Sequence, residues 1–151
     1  HLPSLESGED SGIKYHVARK HIDNHILWLK HTATGCSAMD NERYYPKKVD
    51  GSKIRGYSAT YKRMRWDYPA PAVTMRSDAI SSQENVHPGR KLANGTYSDA
   101  RVLTLKELFI VFSLPEDWDI PSWASDTFMR QIIGEGIPPM FAFNIIKTVT
   151  V

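Results

Sequence analysis

Thr104-Leu-Lys-Glu107-Leu-Phe-Ile-Val-Phe-Ser-Leu-Pro115 decides how this chain is read. Thr104 and Glu107 stand at capping-box spacing, where hydroxyl and carboxylate each satisfy an orphan backbone donor of the first helical turn, worth about 1 kcal/mol. A helix therefore starts here, runs through Leu108, Phe109, Val111 and Phe112, and stops before Pro115. Working forward, a second helix opens at Ser125 or Asp126 and ends at Gly134, and a third begins at Pro138-Pro139, since proline is tolerated in a first turn. The third is apolar nearly all round, through Met140, Phe141, Ala142, Phe143, Ile145 and Ile146. Such a helix needs burial on more than one side, which a 50-residue tail does not supply, so something outside this chain is expected to cover it.

Working backward, residues 77 to 100 are rich in Ser, Asn, Gly, Pro and Asp and read as a long loop or boundary. Aromatic and β-branched residues alternate with polar ones over 57 to 64 and 72 to 75, which predicts two strands of a small sheet. Residues 31 to 56 hold too many turn formers for a long element. Apolar positions from Tyr15 to Lys30 predict a helix, and the first dozen residues an exposed leading segment. The predicted class is α+β, with an irregular, β-rich lobe and N-terminal helical segment over 1–100 and a helical tail over 101–151.

The 151 residues are 41% hydrophobic and 24% charged, an ordinary soluble composition, and no apolar run approaches the roughly 20 residues that span a bilayer. The start lacks the basic and apolar regions of a signal peptide, and a single cysteine, Cys36, excludes an intrachain disulfide; a reducing, cytoplasmic setting is expected. Net charge is only +2, but Lys47, Lys48, Lys53, Arg55, Lys62, Arg63, Arg65 and Arg76 face only Asp50 and Asp67 in their stretch. Tyr57, Tyr61, Trp66 and Tyr68 are interleaved with those cations, a mixture that suits phosphates and bases. A solvated face explains the cations equally, and a core position the aromatics. His21 and His25, four apart with His16 and His31 nearby, suit one helix face, yet no further ligand pattern makes them a metal site.

Three segments in order resemble the C-terminal half of the DNA (cytosine-5)-methyltransferases. Tyr61-Lys-Arg63-Met-Arg-Trp66-Asp67, followed by Pro69, Pro71 and Thr74, resembles an element of the target-recognition region and its proline-threonine strand. Arg101, Thr104 and Glu107, with Leu114-Pro115-Glu-Asp-Trp118, are similar to the ninth family motif, and Ile133-Gly134-Glu135-Gly136-Ile-Pro138-Pro139 to the tenth. His87-Pro88 also fits a family habit. Ala72, Leu114 and Glu135 depart from the usual threonine, phenylalanine and asparagine.

The resemblance implies that the tail completes an α/β, Rossmann-like catalytic domain. It also implies that the whole enzyme flips a cytosine out of duplex DNA and methylates carbon 5 from S-adenosylmethionine, working at the nucleoid. Lys53, Arg55, Tyr57, Tyr61, Lys62, Arg63, Arg65, Trp66, Thr74 and Arg76 are the implied DNA contacts. Arg101, Thr104 and Glu107 would hold the recognition region on the catalytic body, and Gly134, Glu135 and Gly136 would approach the cofactor, although a helix stop and restart explains the same glycines. The family's proline-cysteine nucleophile, its base-binding glutamate and its glycine-rich cofactor turn are not in this sequence, and Cys36 follows Gly35, not proline. No catalytic residue is assigned, and S-adenosylmethionine is expected mainly on an N-terminal catalytic part, of the same chain or a separate subunit. A stand-alone DNA-binding specificity module is the alternative; an unrelated RNA-binding domain leaves the tail motifs unexplained.

Overall fold

A computed structural model describes residues 1–149; Thr150 and Val151, the end of the expected tail, lie outside the described residues. The described elements are α1 (Asp23–Lys30), a 3-10 turn (Ala38–Asp40), α2 (Leu105–Val111), α3 (Asp126–Glu135) and α4 (Pro139–Val149). No helix among them is long and apolar enough to cross a membrane.

The tail follows its sequence signals closely. Thr104 Oγ1 accepts from the Glu107 amide, Glu107 Oε2 accepts from the Thr104 amide, and α2 ends at Val111 with Phe112 as its cap. Ser125 caps α3 through the Phe128 amide. α3 runs one residue past Gly134, so that glycine lies inside the helix instead of stopping it.

The first hundred residues differ from expectation in three ways. The first helix is eight residues, not sixteen: Gly12 and Tyr15 take positive φ, and Asp10 bridges Val17, so the chain before Ile22 is turn and extended backbone. The leading segment is not free. Leu5 is buried, and the Ser4 hydroxyl and Leu5 amide both donate to the Asp99 carboxylate. The β-rich sheet does not form either. Among the described residues there are only isolated bridges, of which Ser37 with Lys62, Arg63 with Val86 and Val86 with Val102 lay four segments side by side. Positive φ at Tyr61 and prolines at 69 and 71 keep this layer from extending.

Two apolar cores sit on either side of that layer. Trp28, Leu29, Ala38, Tyr61, Ile80, Val86, Ala100 and Val102 form the first, and Met64, Leu103, Leu105, Leu108, Phe109, Phe112, Met129 and Ile133 the second. Tyr61 and Met64, and likewise Val102 and Leu103, belong to different cores, so the same two segments serve both. The three largest fully buried side chains in the molecule are arginines 63, 101 and 130, and each is sewn to backbone carbonyls.

Candidate nucleic-acid interface

The tyrosine-x-arginine element points inward at both of its named residues. Tyr61 packs edge-on against Trp28 with centroids 5.6 Å apart, and its hydroxyl meets His25 Nε2 at 3.2 Å. Arg63 has no exposed surface. Its Nη1 donates to the carbonyls of His87 (2.7 Å) and Asp99 (3.2 Å), and its Nη2 to those of Leu29 and Ser98 (both 3.0 Å). Burial lowers its pKa to about 10, which leaves it charged at neutral pH. Both side chains, expected at the DNA, are turned into the fold: Tyr61 packs its ring in the first core, and the five donors of Arg63 satisfy otherwise unpaired carbonyls where sheet pairing is missing.

Of the remaining expected contacts, Lys53, Arg55, Tyr57, Arg65, Trp66 and Arg76 are exposed, and Lys62 and Thr74 are half-buried. Arg55 and Tyr57 are open to solvent, and Lys53 lies over the Tyr45 ring at 5.1 Å. Lys62 pairs with Glu84, Arg65 with Asp67 at 2.6 Å, and Arg76 with Asp78 at 3.2 Å. These partly exposed pairs are individually weak. Arg65 also lies 4.3 Å from the Tyr68 ring. Trp66 is half exposed while its Nε1–H donates to the Gly89 carbonyl at 2.8 Å. Thr74 is half-buried; its hydroxyl is covered by protein and has no hydrogen-bond partner. A cleft of about 630 Å³ opens beside this surface, lined among others by Arg65, Trp66, Tyr68, His87, Arg90 and Lys106.

Beneath the cleft Arg101 joins the two cores. It donates to Glu107 (2.7 and 3.0 Å), Asp99 (2.7 Å) and the carbonyls of Leu5 and Val102. Burial opposes ionisation of Glu107, yet the Arg101 hydrogen bonds and charge hold its pKa below the usual carboxylate value. Burial likewise disfavours charge on Asp99, but His87 and donors from Ser4, Ser98 and Leu5 bring it to about 2. His87 accepts from the Gly89 amide through Nδ1, and burial lowers its pKa to about 4. His87, Asp99 and Glu107 all line the cleft, yet each is also hydrogen-bonded within the fold.

Gly134 has a different reason to be glycine than a helix stop. A Cβ there would lie 2.3 Å from the Met75 nitrogen and 2.4 Å from the Thr74 carbonyl carbon, so α3 and the proline-threonine segment touch backbone to backbone. Gly136 caps α3 with its amide on the Ile132 and Ile133 carbonyls, and Glu135 is exposed between the two glycines.

Sequence reasoning passed over Arg130, which is buried and bonds Asp126, the Leu103 carbonyl (2.9 Å) and the Ser77 carbonyl (3.4 Å), fastening the tail to the lobe. The four-residue spacing of Asp126 and Arg130 was its visible signal. His16, His21 and His25 each hydrogen-bond groups of the protein: Thr104 and Pro3, the Val102 amide, and Tyr61.

With this geometry in hand, a family model described as C-5 cytosine-specific DNA methylase matches residues 2–150. The chain belongs to the C-5 cytosine-specific DNA methylase family. It is 53% identical over 148 residues to Type II methyltransferase M1.HgaI of Avibacterium volantium, a match that covers 98% of this chain but only 42% of that protein. It is 27% identical over 147 residues to Type II methyltransferase M.AquIB of Picosynechococcus sp., covering 89% of this chain and 91% of that one. The chain thus spans under half the length of one relative and nearly all of the other. No solved structure matches.

Proposed function

We propose that this chain is the C-terminal, DNA target-recognition part of a DNA (cytosine-5)-methyltransferase of the restriction-modification type. The catalytic cysteine and most of the S-adenosylmethionine site lie, on this reading, in an N-terminal catalytic part, as a region of the same protein or as a separate subunit. The observation that carries it is α4. Met140 (53% exposed), Phe141 (59%) and Phe143 (57%) face outward on a helix with no buried residue, in a chain that spans 42% of M1.HgaI. Apolar surface of that kind marks an interface, and the absent catalytic part is its natural occupant. M.AquIB, matched over 91% of its length, is a chain of similar extent under a methyltransferase name, which favours a two-polypeptide arrangement.

The target base must leave the stack before its ring carbon is reachable, at a cost of a few kcal/mol that protein contacts offset. Lys53, Arg55, Tyr57, Lys62, Arg65, Trp66 and Arg76 supply contacts to the duplex here, held on the arginine-braced layer. Bound S-adenosylmethionine supplies the methyl group. Gly134, Glu135 and Gly136 would place a backbone turn near it; the Gly136 amide is already committed within α3, and the Glu135 carboxylate is exposed between the two glycines.

The test is methyl transfer from labelled S-adenosylmethionine to mixed-sequence DNA, by this chain alone and with a candidate N-terminal catalytic polypeptide. Activity confined to the mixture supports the reading; no activity in the mixture, with salt-sensitive DNA binding by the chain alone, favours a free binding module.

A further inference from the structure

The stretch expected to be loop between His87-Pro88 and Arg101 contains a hairpin. Lys91 bridges Tyr97, the Leu92 amide donates to the Thr96 carbonyl at 2.8 Å, and the Ser98 amide to the Arg90 carbonyl at 3.0 Å. Its tip is a tight Asn94-Gly95 turn: Gly95 has φ 83°, and Asn94 Oδ1 accepts from both the amide and the hydroxyl of Thr96.

The root of this hairpin is held unusually firmly for a surface excursion. Arg63 grips the His87 carbonyl on one side and the Ser98 carbonyl on the other. Gly89 lets it do so, since a Cβ there would lie 2.4 Å from Arg63 Nη1. Trp66 Nε1–H holds the Gly89 carbonyl, Arg90 lies 4.5 Å from the Trp66 ring, and the Tyr97 amide donates to the last residue of α1, Lys30, at 2.8 Å. Beyond that root residues 90–95 are exposed.

The chemistry of the exposed part is one-sided. Arg90 and Lys91 are cations and no acidic residue stands between Pro88 and Ser98. Neither cation is in an ion pair among the described residues, whereas Lys62, Arg65 and Arg76 each face a carboxylate. Leu92, at 43% exposed, is the one large apolar side chain at the tip, too little for a protein-binding core.

We propose that the hairpin Arg90–Tyr97 is a second DNA-contacting arm, with Arg90 and Lys91 donating to duplex phosphates, and that Arg63 is the positioning residue that fixes its angle. This rests on the recognition role proposed above. It also gives the arginine of the tyrosine-x-arginine element a part in DNA recognition that its burial denies it directly. A two-stranded ribbon of this width fits the major groove, and a braced root keeps the arm's direction without a binding partner.

The experiment measures DNA affinity across a salt series for the enzyme reconstituted from this chain and its N-terminal catalytic part, comparing wild type with Arg90→Gln/Lys91→Gln. Loss of two phosphate contacts lowers the slope of log affinity against log salt by about 2 and weakens binding roughly tenfold or more at low salt, with KM for S-adenosylmethionine unaltered. Arg63→Lys keeps the charge, but its compact ammonium lacks the fork that spans the carbonyls of His87, Asp99, Leu29 and Ser98 together; it is expected to raise KM for DNA while leaving KM for S-adenosylmethionine unaltered. Wild-type affinity and slope in the double variant overturn the arm while leaving the recognition reading intact. Failure of the wild-type reconstituted enzyme to bind DNA overturns both.

Discussion

The lobe and α4 make opposite use of their side chains. The lobe buries charge: Arg63 sits in its middle, and Arg101 at its junction with the tail, without exposed surface, because the backbone there is too irregular to pair its own carbonyls. The tail buries Arg130 on α3 as well, but at its end it exposes apolar surface instead, and α4 has no buried residue. The lobe has an apolar core within this chain, whereas α4 leaves Phe141 and Phe143 exposed. Substitutions in the lobe should therefore act on the stability of this chain, and substitutions in α4 on its assembly.

The largest stability effect is expected at Arg101. Arg101→Ala leaves Asp99 and Glu107 buried without their cation and should cost about 3–5 kcal/mol, read as a shift of the urea unfolding midpoint. A change under about 1 kcal/mol would erase the distinction drawn for the lobe. Next comes Gly134→Ala, where a methyl group meets the Thr74–Met75 backbone; destabilisation of about 1–3 kcal/mol is expected. An unpacked helical glycine would instead gain stability on the same change, so the sign alone decides between close packing and a helix end.

Acid acts on the lobe as well. Burial depresses both His87 and His21 from 6.5 to about 4, so the unfolded chain binds more protons in between. Their contribution is fully present above about pH 6.5 and is lost as pH falls toward 4, on the order of 3 kcal/mol from His87 with a smaller share from His21, which is partly exposed. Urea midpoints at pH 7 and pH 4.5 measure it. Smallest is Phe143→Glu, expected within about 0.5 kcal/mol of wild type in the isolated chain. A cooperative loss of several kcal/mol there would mean that α4 already has its core.

The same contrast explains what was legible in the sequence. Capping residues, helix-breaking prolines and periodic apolar positions are local signals, so the tail's helices could be placed from Thr104, Ser125 and Pro139 almost to the residue. The lobe is held by long-range bonds from arginine to backbone carbonyls, and nothing local marks them. Arg63 and Arg65 are alike in sequence, yet one is sealed inside and the other lies on the surface. Tyr61 alternates like a strand residue and is core, whereas Tyr57 is almost wholly exposed. The Asn94-Gly95 turn was visible, but the loop-forming composition around it concealed the hairpin. The close packing of Gly134 had no local signal, because its neighbour, the Thr74–Met75 backbone, lies about sixty residues away in sequence.

The most direct measurement of the central claim is the hydrodynamic size of an equimolar mixture of this chain with its N-terminal catalytic part, for wild type and for Phe141→Glu/Phe143→Glu. The account predicts a 1:1 complex for wild type and separate components for the variant, whose circular dichroism and urea midpoint remain those of the wild-type chain. A variant that still forms the complex would contradict it, as would a wild-type chain that stays monomeric and soluble beside the catalytic part.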